Sequence, residues 1–238
     1  MNILSSLLVV ALAALIHASF QLSVSVLTLL SGHAIGSKRS HAKLVRTTTA
    51  FIFGAGIMTL LLLSFISYVI FSIYGSEIPK IIWATVCGLT FGVATAVWMF
   101  YYRREKGTSL WIPRNVAEFL IDRTKATRMS AEAFGLGLSS ILGELLFIIA
   151  PITISALVII QLPPLWQLAA ICIYTLISLI SLITVGVLIT NGRAISHIQK
   201  WRETNKYFLQ FAAGAGLIAL GLFVFVNEII SNSNIGIF

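Results

Sequence analysis

Acid is scarce in this sequence. Eight Asp and Glu stand against sixteen Lys and Arg in 238 residues, and charges of both signs together make up only 10%. A soluble domain carries about 25% charged residues. With 58% hydrophobic residues and a mean hydropathy of +0.97, the chain has more apolar surface than its own core can hide. A water-soluble fold is excluded, and lipid becomes the expected solvent. Cysteine is scarce too. Cys87 and Cys172 stand alone in separate apolar runs, where a lone thiol packs as a small apolar group, and no Cys-x-x-Cys exists. A Walker loop, a dinucleotide glycine fingerprint, an HExxH pair and a nucleophile elbow are all missing, so an ATP-driven pump is excluded for this chain alone and no enzyme or cofactor is expected. The histidines His17, His33, His41 and His197 are scattered among too few carboxylates to suggest a metal site. The start, MNILSSLL, lacks the basic region of a signal peptide, so the first apolar run is expected to stay as a mature helix.

What the chain does have is long apolar runs. Crossing about 30 Å of hydrocarbon takes about 20 helical residues. Six windows qualify: Ile3–Ser31, Val45–Tyr74, Ile81–Tyr102, Ala131–Ile160, Leu165–Thr190 and Tyr207–Ile230. Barrel strands would be shorter and evenly alternating, so the expected class is an all-α polytopic membrane protein with six transmembrane helices. Tilt or kinking is expected in the first, second and fourth windows, which exceed the minimum.

Fifteen of the sixteen Lys and Arg fall in three alternate loops, and only Lys80 falls on the other side. Basic residues are retained in the cytoplasm. The expected topology is therefore a multi-pass protein of the cytoplasmic membrane with basic loops inside and both termini outside. The positive charge is a topology signal, with no module for nucleic acid beside it. The longest basic connection contains SLWIPRNVAEFLIDRTKATR, where Pro113 suits a first helical turn and Val116, Phe119, Leu120 and Arg123 recur at helical spacing. With Trp111 as an anchor, it reads as a short amphipathic helix on the inner membrane surface. It divides the chain into a first three-helix repeat (1–102), a connector (103–130) and a second three-helix repeat (131–238). An odd number of spans per half turns the halves opposite ways up, a 3+3 inverted repeat of the kind transporters use.

Glu144 is the acidic residue near the middle of a window, and His17 is the histidine at that depth. Burying an ionisable group at mid-membrane costs about 2.5 to 3.5 kcal/mol on insertion scales, so such groups face a partner or a wet cavity. His17, in HASF, and Glu144, in ELLF, sit at matching depths of the first and fourth helices. On a continuous helix, His17, Gln21, Ser25 and Thr28 form one polar stripe, with Ser19 and Ser23 on the opposite, packing face. A second reading of HASFQLSVS is an unwound segment lining a cavity. Pro151 frees a backbone carbonyl near Glu144's turn and is the expected hinge. Thr175, Ser178, Ser181 and Thr184 recur at every third position, a stripe suited to lining a pathway and equally to close packing. Gly88-x-x-x-Gly92 and Gly214, Gly216 and Gly221 suit close helix packing. Trp83, Tyr101, Tyr102, Trp166 and Trp201 read as interface anchors.

The 3+3 layout, the basic inner loops and the ending FLQFAAGAGLIALGLFVFV resemble the LysE-like exporter superfamily, which also takes in CcdA- and DsbD-type membrane domains. The resemblance implies a six-helix exporter. Amino-acid exporters carry Pro-Gly-Pro-type and Asn-Pro elements where this chain has HASFQLSVS and Ala150-Pro151, so no site residue carries over by motif. The expectation is a secondary transporter for a small polar solute or ion. Glu144, His17, Gln21 and Ser25 would bind or couple, and the partners would be the bilayer, the solute and a second copy of the chain. The alternatives are a non-transporting scaffold or assembly factor, and a thiol-electron carrier using Cys87 and Cys172.

Overall fold

The computed structural model describes residues 2–20, 22–35, 41–101, 113–191 and 195–231. Every regular element among them is helical. In chain order they are α1 (Ile3–Ser19), α2 (Leu22–Ile35), α3 (His41–Tyr74), α4 (Lys80–Phe100), α5 (Arg114–Ala126), α6 (Ser130–Ile159), α7 (Pro164–Ser178), α8 (Ile180–Thr190), α9 (Ile195–Thr204) and α10 (Lys206–Phe225). The last helix runs on into a π-helical turn over Val226–Ile230.

Proline and small polar side chains set these boundaries. Pro79, Pro113 and Pro163 precede α4, α5 and α7, where a missing N–H removes nothing the helix would use. Asn2 caps α1 by accepting the Ser5 amide at 2.8 Å. Gly75, at φ +67°, follows α3 in the left-handed conformation that glycine adopts without strain.

Four helices are long and apolar enough to cross a membrane: α3, α4, α6 and α10 with its π turn. The count rises to six if each of two bent pairs is one span. These pairs are α1 with α2, bent by 45°, and α7 with α8, bent by 43°. The first and fifth windows therefore each hold two helices joined at a bend; a kink is expected of the first, which exceeds the minimum length, and not of the fifth. Across a break the 100° projection loses its meaning, so the single stripe His17–Gln21–Ser25–Thr28 does not exist. The unwound-segment reading of HASFQLSVS is the one that fits. By contrast, α6 runs through Pro151 as one helix, and the breaks follow the extended Phe20 and fall at Leu179.

α6 is the most buried span, packed along α3, α1 and α4. The α3–α6 crossing brings backbone onto backbone. A Cβ on Gly54 would collide with the Phe134 carbonyl, and one on Gly137 with the Phe51 carbonyl. The small-residue packing expected from the sequence is real at Gly214, Gly216 and Gly221, where an added Cβ would crowd Trp98, Ile16 and Phe91, and absent at Gly88 and Gly92, where it would meet nothing within 4 Å. The outer surface is apolar, with Phe53, Phe65, Leu165 and Phe208 exposed, while His17, Glu144, Thr59 and Ser140 are buried. A belt of exposed apolar side chains around a polar-studded interior fits a chain solvated by lipid.

The amphipathic connector forms α5, which buries Leu120 and Thr124 and packs on α2 and α6. Phe119 stays exposed beneath the Arg123 guanidinium. Two expected interface anchors are instead core. Trp83 is 2% and Tyr101 1% exposed, because α10, α6 and the break at Phe20 cover them. Trp166 and Trp201 do reach the surface. Tyr102 and Trp111 lie outside the described residues.

Candidate functional site

The break between α1 and α2 creates the need that Glu144 meets. α1 ends when Phe20 turns extended, its amide donating to the His17 carbonyl at 3.1 Å. α2 restarts at Leu22, and its opening turn has amide groups without a helical acceptor. The Glu144 carboxylate accepts the Leu22 amide through Oε1 and the Ser23 hydroxyl through Oε2, both at 2.9 Å. A carboxylate there also meets the positive end of the α2 dipole. Glu144 is 2% exposed.

Phe20 is held in place by aromatic packing. Its ring stacks on Phe147 at 5.8 Å and lies 5.5 Å from Tyr101, while Tyr101 meets Phe147 edge-on at 4.9 Å. Phe147 is one turn beyond Glu144, so one face of α6 fixes both the break residue and the cap of the half-helix that follows.

The freed carbonyls of α1 are also met. Ser19 Oγ donates to Ile16 at 2.6 Å, and Ser181 Oγ donates to Ala18 at 2.5 Å. Ser181 stands just past the second break, at Leu179. The two bent helix pairs are therefore tied to each other at their breaks.

His17 and Glu144 line the same cavity, with Phe20, Ser23, Thr59, Ser178, Leu179 and Ser181. Its volume is about 10 Å³, room for about one water. They do not bond to each other. His17 Nδ1 is 3.1 Å from the Tyr174 hydroxyl, with the rings 5.7 Å apart. The expected convergence around a hydrated centre is thus a shared small void with separate protein partners.

The other expected site residues are dispersed. Gln21 lies outside the described residues. Ser25 is not among the residues lining the cavity and accepts from Arg202 Nη2 at 2.7 Å. Pro151 is buried within α6. Ser178 and Ser181 reach the cavity, whereas Thr175 bonds the Ile171 carbonyl of its own helix at 2.9 Å and lines neither this void nor the larger cleft beside it. Both thiols are free, Cys87 buried on α4 and Cys172 exposed on α7, so they form no pair. Among the described residues no three of His, Cys, Asp and Glu come together as a metal set.

Three residues escaped the sequence reading. Projected as one continuous helix, Ser23 falls on the packing face, whereas across the break it reaches Glu144. Tyr174 stands in mid-window, away from the ends where tyrosine anchors, and that depth was a usable signal. Arg202 counted only as loop charge, yet it follows Ile195 and Ile198 on the apolar face of α9, and it is 2% exposed.

A cleft of about 910 Å³ opens beside this centre. It runs from α9 to the end of α1, between α8 and the start of α10, and Ala18, Val24 and Ser181 line both it and the small cavity. A thin partition, including the Ser181–Ala18 bond, separates the two. No protein-family model matches this chain, and no curated protein and no solved structure is significantly similar to it.

Proposed function

We propose that the chain is a secondary membrane transporter, an exporter of a small polar solute or ion in the manner of LysE-like proteins. Its central site lies between two inverted three-helix repeats. The observation that carries this reading is the capping of a broken helix by the buried Glu144 carboxylate, at a cavity where both helix breaks and His17 meet. Broken helices at mid-membrane are tolerated where they line a cavity, and they place half-helix termini against ionic groups.

Support for the repeat comes from packing. Exchanging the first span with the fourth, the second with the fifth and the third with the sixth maps neighbours onto neighbours. The α3–α6 pair maps onto α7–α1 and α1–α10 onto α6–α4, while α1–α6 and α4–α10 map onto themselves. The Phe20–Phe147 stack falls between HASF and ELLF, the paired centres of the first and fourth spans.

The chemistry follows from the cap. As a carboxylate, Glu144 holds the α2 N-terminus in place. A proton or cation taken up by Glu144 competes for those oxygens, weakens the hold on Leu22 and Ser23, and lets the half-helix move. A void for about one water admits no solute, so this is a closed arrangement, with the cleft as the approach from the basic-loop side and the Ser181–Ala18 bond as its inner door.

Purified protein in proteoliposomes, assayed against a panel of amino acids and metal ions, tests the reading. Glu144→Gln keeps the side chain's shape but not its charge, and is expected to abolish flux while the protein still elutes as a folded species. Undiminished flux in Glu144→Gln would remove the assignment. Absence of flux in the wild-type chain favours the second reading, a scaffold, for which the same contacts act as a static clasp.

A further inference from the structure

The small cavity between the two breaks is unusual in the hydrogen-bond groups it offers. Four hydroxyls line it, and each gives its proton away. Ser23 donates to Glu144 at 2.9 Å, Thr59 to the Ala55 carbonyl at 3.0 Å, Ser178 to the Thr175 carbonyl at 2.9 Å and Ser181 to the Ala18 carbonyl at 2.5 Å. A hydroxyl has one proton and two lone pairs, so in this arrangement all four can only accept from whatever fills the void. His17 spends its Nδ1 on Tyr174. Glu144 is the one acidic side chain among the described residues lining the cavity. A carboxylate accepts at about four positions. The Leu22 amide and the Ser23 hydroxyl and amide draw on it, and Arg202 acts on it from outside the cavity. The lining is thus rich in oxygen lone pairs, carries one negative side chain and is buried.

Such a lining narrows the occupant. An anion would face oxygen lone pairs on every side but that of His17. A water would find acceptors for both protons and few donors for its own lone pairs. A proton on Glu144 would take an acceptor from the α2 cap and leave the void unfilled. A divalent ion would need more charge and more ligands: Ca²⁺ takes about 6–8 oxygens, and Mg²⁺ gives up its waters reluctantly. A single alkali cation balances one carboxylate. The cavity of about 10 Å³ has room for about one water, and a bare Na⁺ is smaller than that. We infer that this cavity is a Na⁺ site, the ion held by Glu144 and the hydroxyl oxygens of Thr59, Ser178 and Ser181. Na⁺ there draws carboxylate charge away from Leu22 and Ser23 and loosens the cap on α2. The inference names the coupling ion and rests on the transport reading for that coupling role; binding itself is measured without flux.

The test is thermal unfolding of the full chain in neutral detergent at fixed ionic strength, with NaCl exchanged for KCl or choline chloride. A ligand that binds only the folded state raises the midpoint by mass action. Na⁺ at about 100 times its dissociation constant is expected to raise it by about 5–10 °C over choline, and K⁺, which is larger, to raise it much less. Glu144→Gln is expected to abolish the Na⁺ effect. Thr59→Val keeps the side chain's shape without its oxygen, and is expected to move the Na⁺ titration to severalfold higher concentration. It serves, with Ser178→Ala, if Glu144→Gln does not fold. Equal midpoints in Na⁺ and choline overturn the inference. So does an equal rise in K⁺, or a Na⁺ effect that survives these substitutions. Stabilisation by acid with none by Na⁺ would make the proton the ligand and overturn it too. Na⁺ stabilisation without flux in proteoliposomes leaves the site standing and removes the transport reading. Flux that runs equally in Na⁺ and choline, with no Na⁺ stabilisation, removes the site and leaves transport standing.

Discussion

The Leu22 amide donates to Glu144 at 2.9 Å across 122 positions of sequence, and this bond sets where the first span resumes after its break. Removing the acceptor strands two buried donors, the amide and the Ser23 hydroxyl. Leaving a buried polar group unsatisfied costs about 1–3 kcal/mol. Glu144→Leu is therefore expected to lower the midpoint of thermal unfolding in detergent clearly, and Glu144→Gln less, because an amide oxygen still accepts from Leu22. Ser23→Ala should cost little alone and nothing further in the Glu144→Leu background, a non-additivity that a double-mutant cycle measures. Additive losses would show that the two do not act as one cap.

The span pattern was legible because lipid solvation leaves a strong signal: each of the windows beginning at Ile3, Val45, Ile81, Ala131, Leu165 and Tyr207 contains helix. The breaks were not legible. Neither Phe20 nor Leu179 is glycine or proline, and each interruption is stabilised by partners far away in sequence, Glu144 and Phe147 for one, Ala18 for the other. Pro151 carried the stronger local signal and produced no break, because α1, α3 and α7 pack around α6 and hold it. Depth alone brought His17 and Glu144 to one cavity. It could not say that each would bond elsewhere, since partner choice depends on rotation about the helix axis, which a break resets.

His17 and Tyr174 form the second buried polar pair. Tyr174→Phe removes only the hydroxyl and leaves the ring in place, so the loss is that of one hydrogen bond, about 1 kcal/mol. The same substitution in a His17→Phe background should cost less, since the imidazole that needs the hydroxyl is gone. Equilibrium unfolding of the four proteins in one detergent gives the coupling; a value of zero would mean that the 3.1 Å approach contributes nothing.

The α3–α6 crossing makes a sharper demand on side-chain size. Gly54→Ala places a methyl group against the Phe134 carbonyl, so the helices must separate. Overpacking of this kind costs about 1–3 kcal/mol, and the yield of monodisperse protein should fall with it. Gly88→Ala is the matched control. Its added carbon meets nothing, so stability is expected to be unchanged or slightly raised by the better helix propensity of alanine. Equal losses at the two positions would contradict the backbone contact.

The partition between cleft and cavity can be probed from the basic-loop side. Ser178 faces the small cavity and not the cleft, so in a protein whose Cys87 and Cys172 have been replaced, a thiol at Ser178→Cys should react slowly with a small membrane-impermeant methanethiosulfonate. Ser181→Ala removes the donor to the Ala18 carbonyl, one of the ties between the broken spans, and leaves that carbonyl to seek water. Labelling of Ser178→Cys should then accelerate severalfold when reagent is added on the basic-loop side, and much less when it is added on the other. Thr59→Cys, on the opposite wall of the cavity, should follow the same pattern. A rate indifferent to Ser181→Ala, or equal from the two sides, would mean that the Ser181–Ala18 bond closes no passage between cleft and cavity.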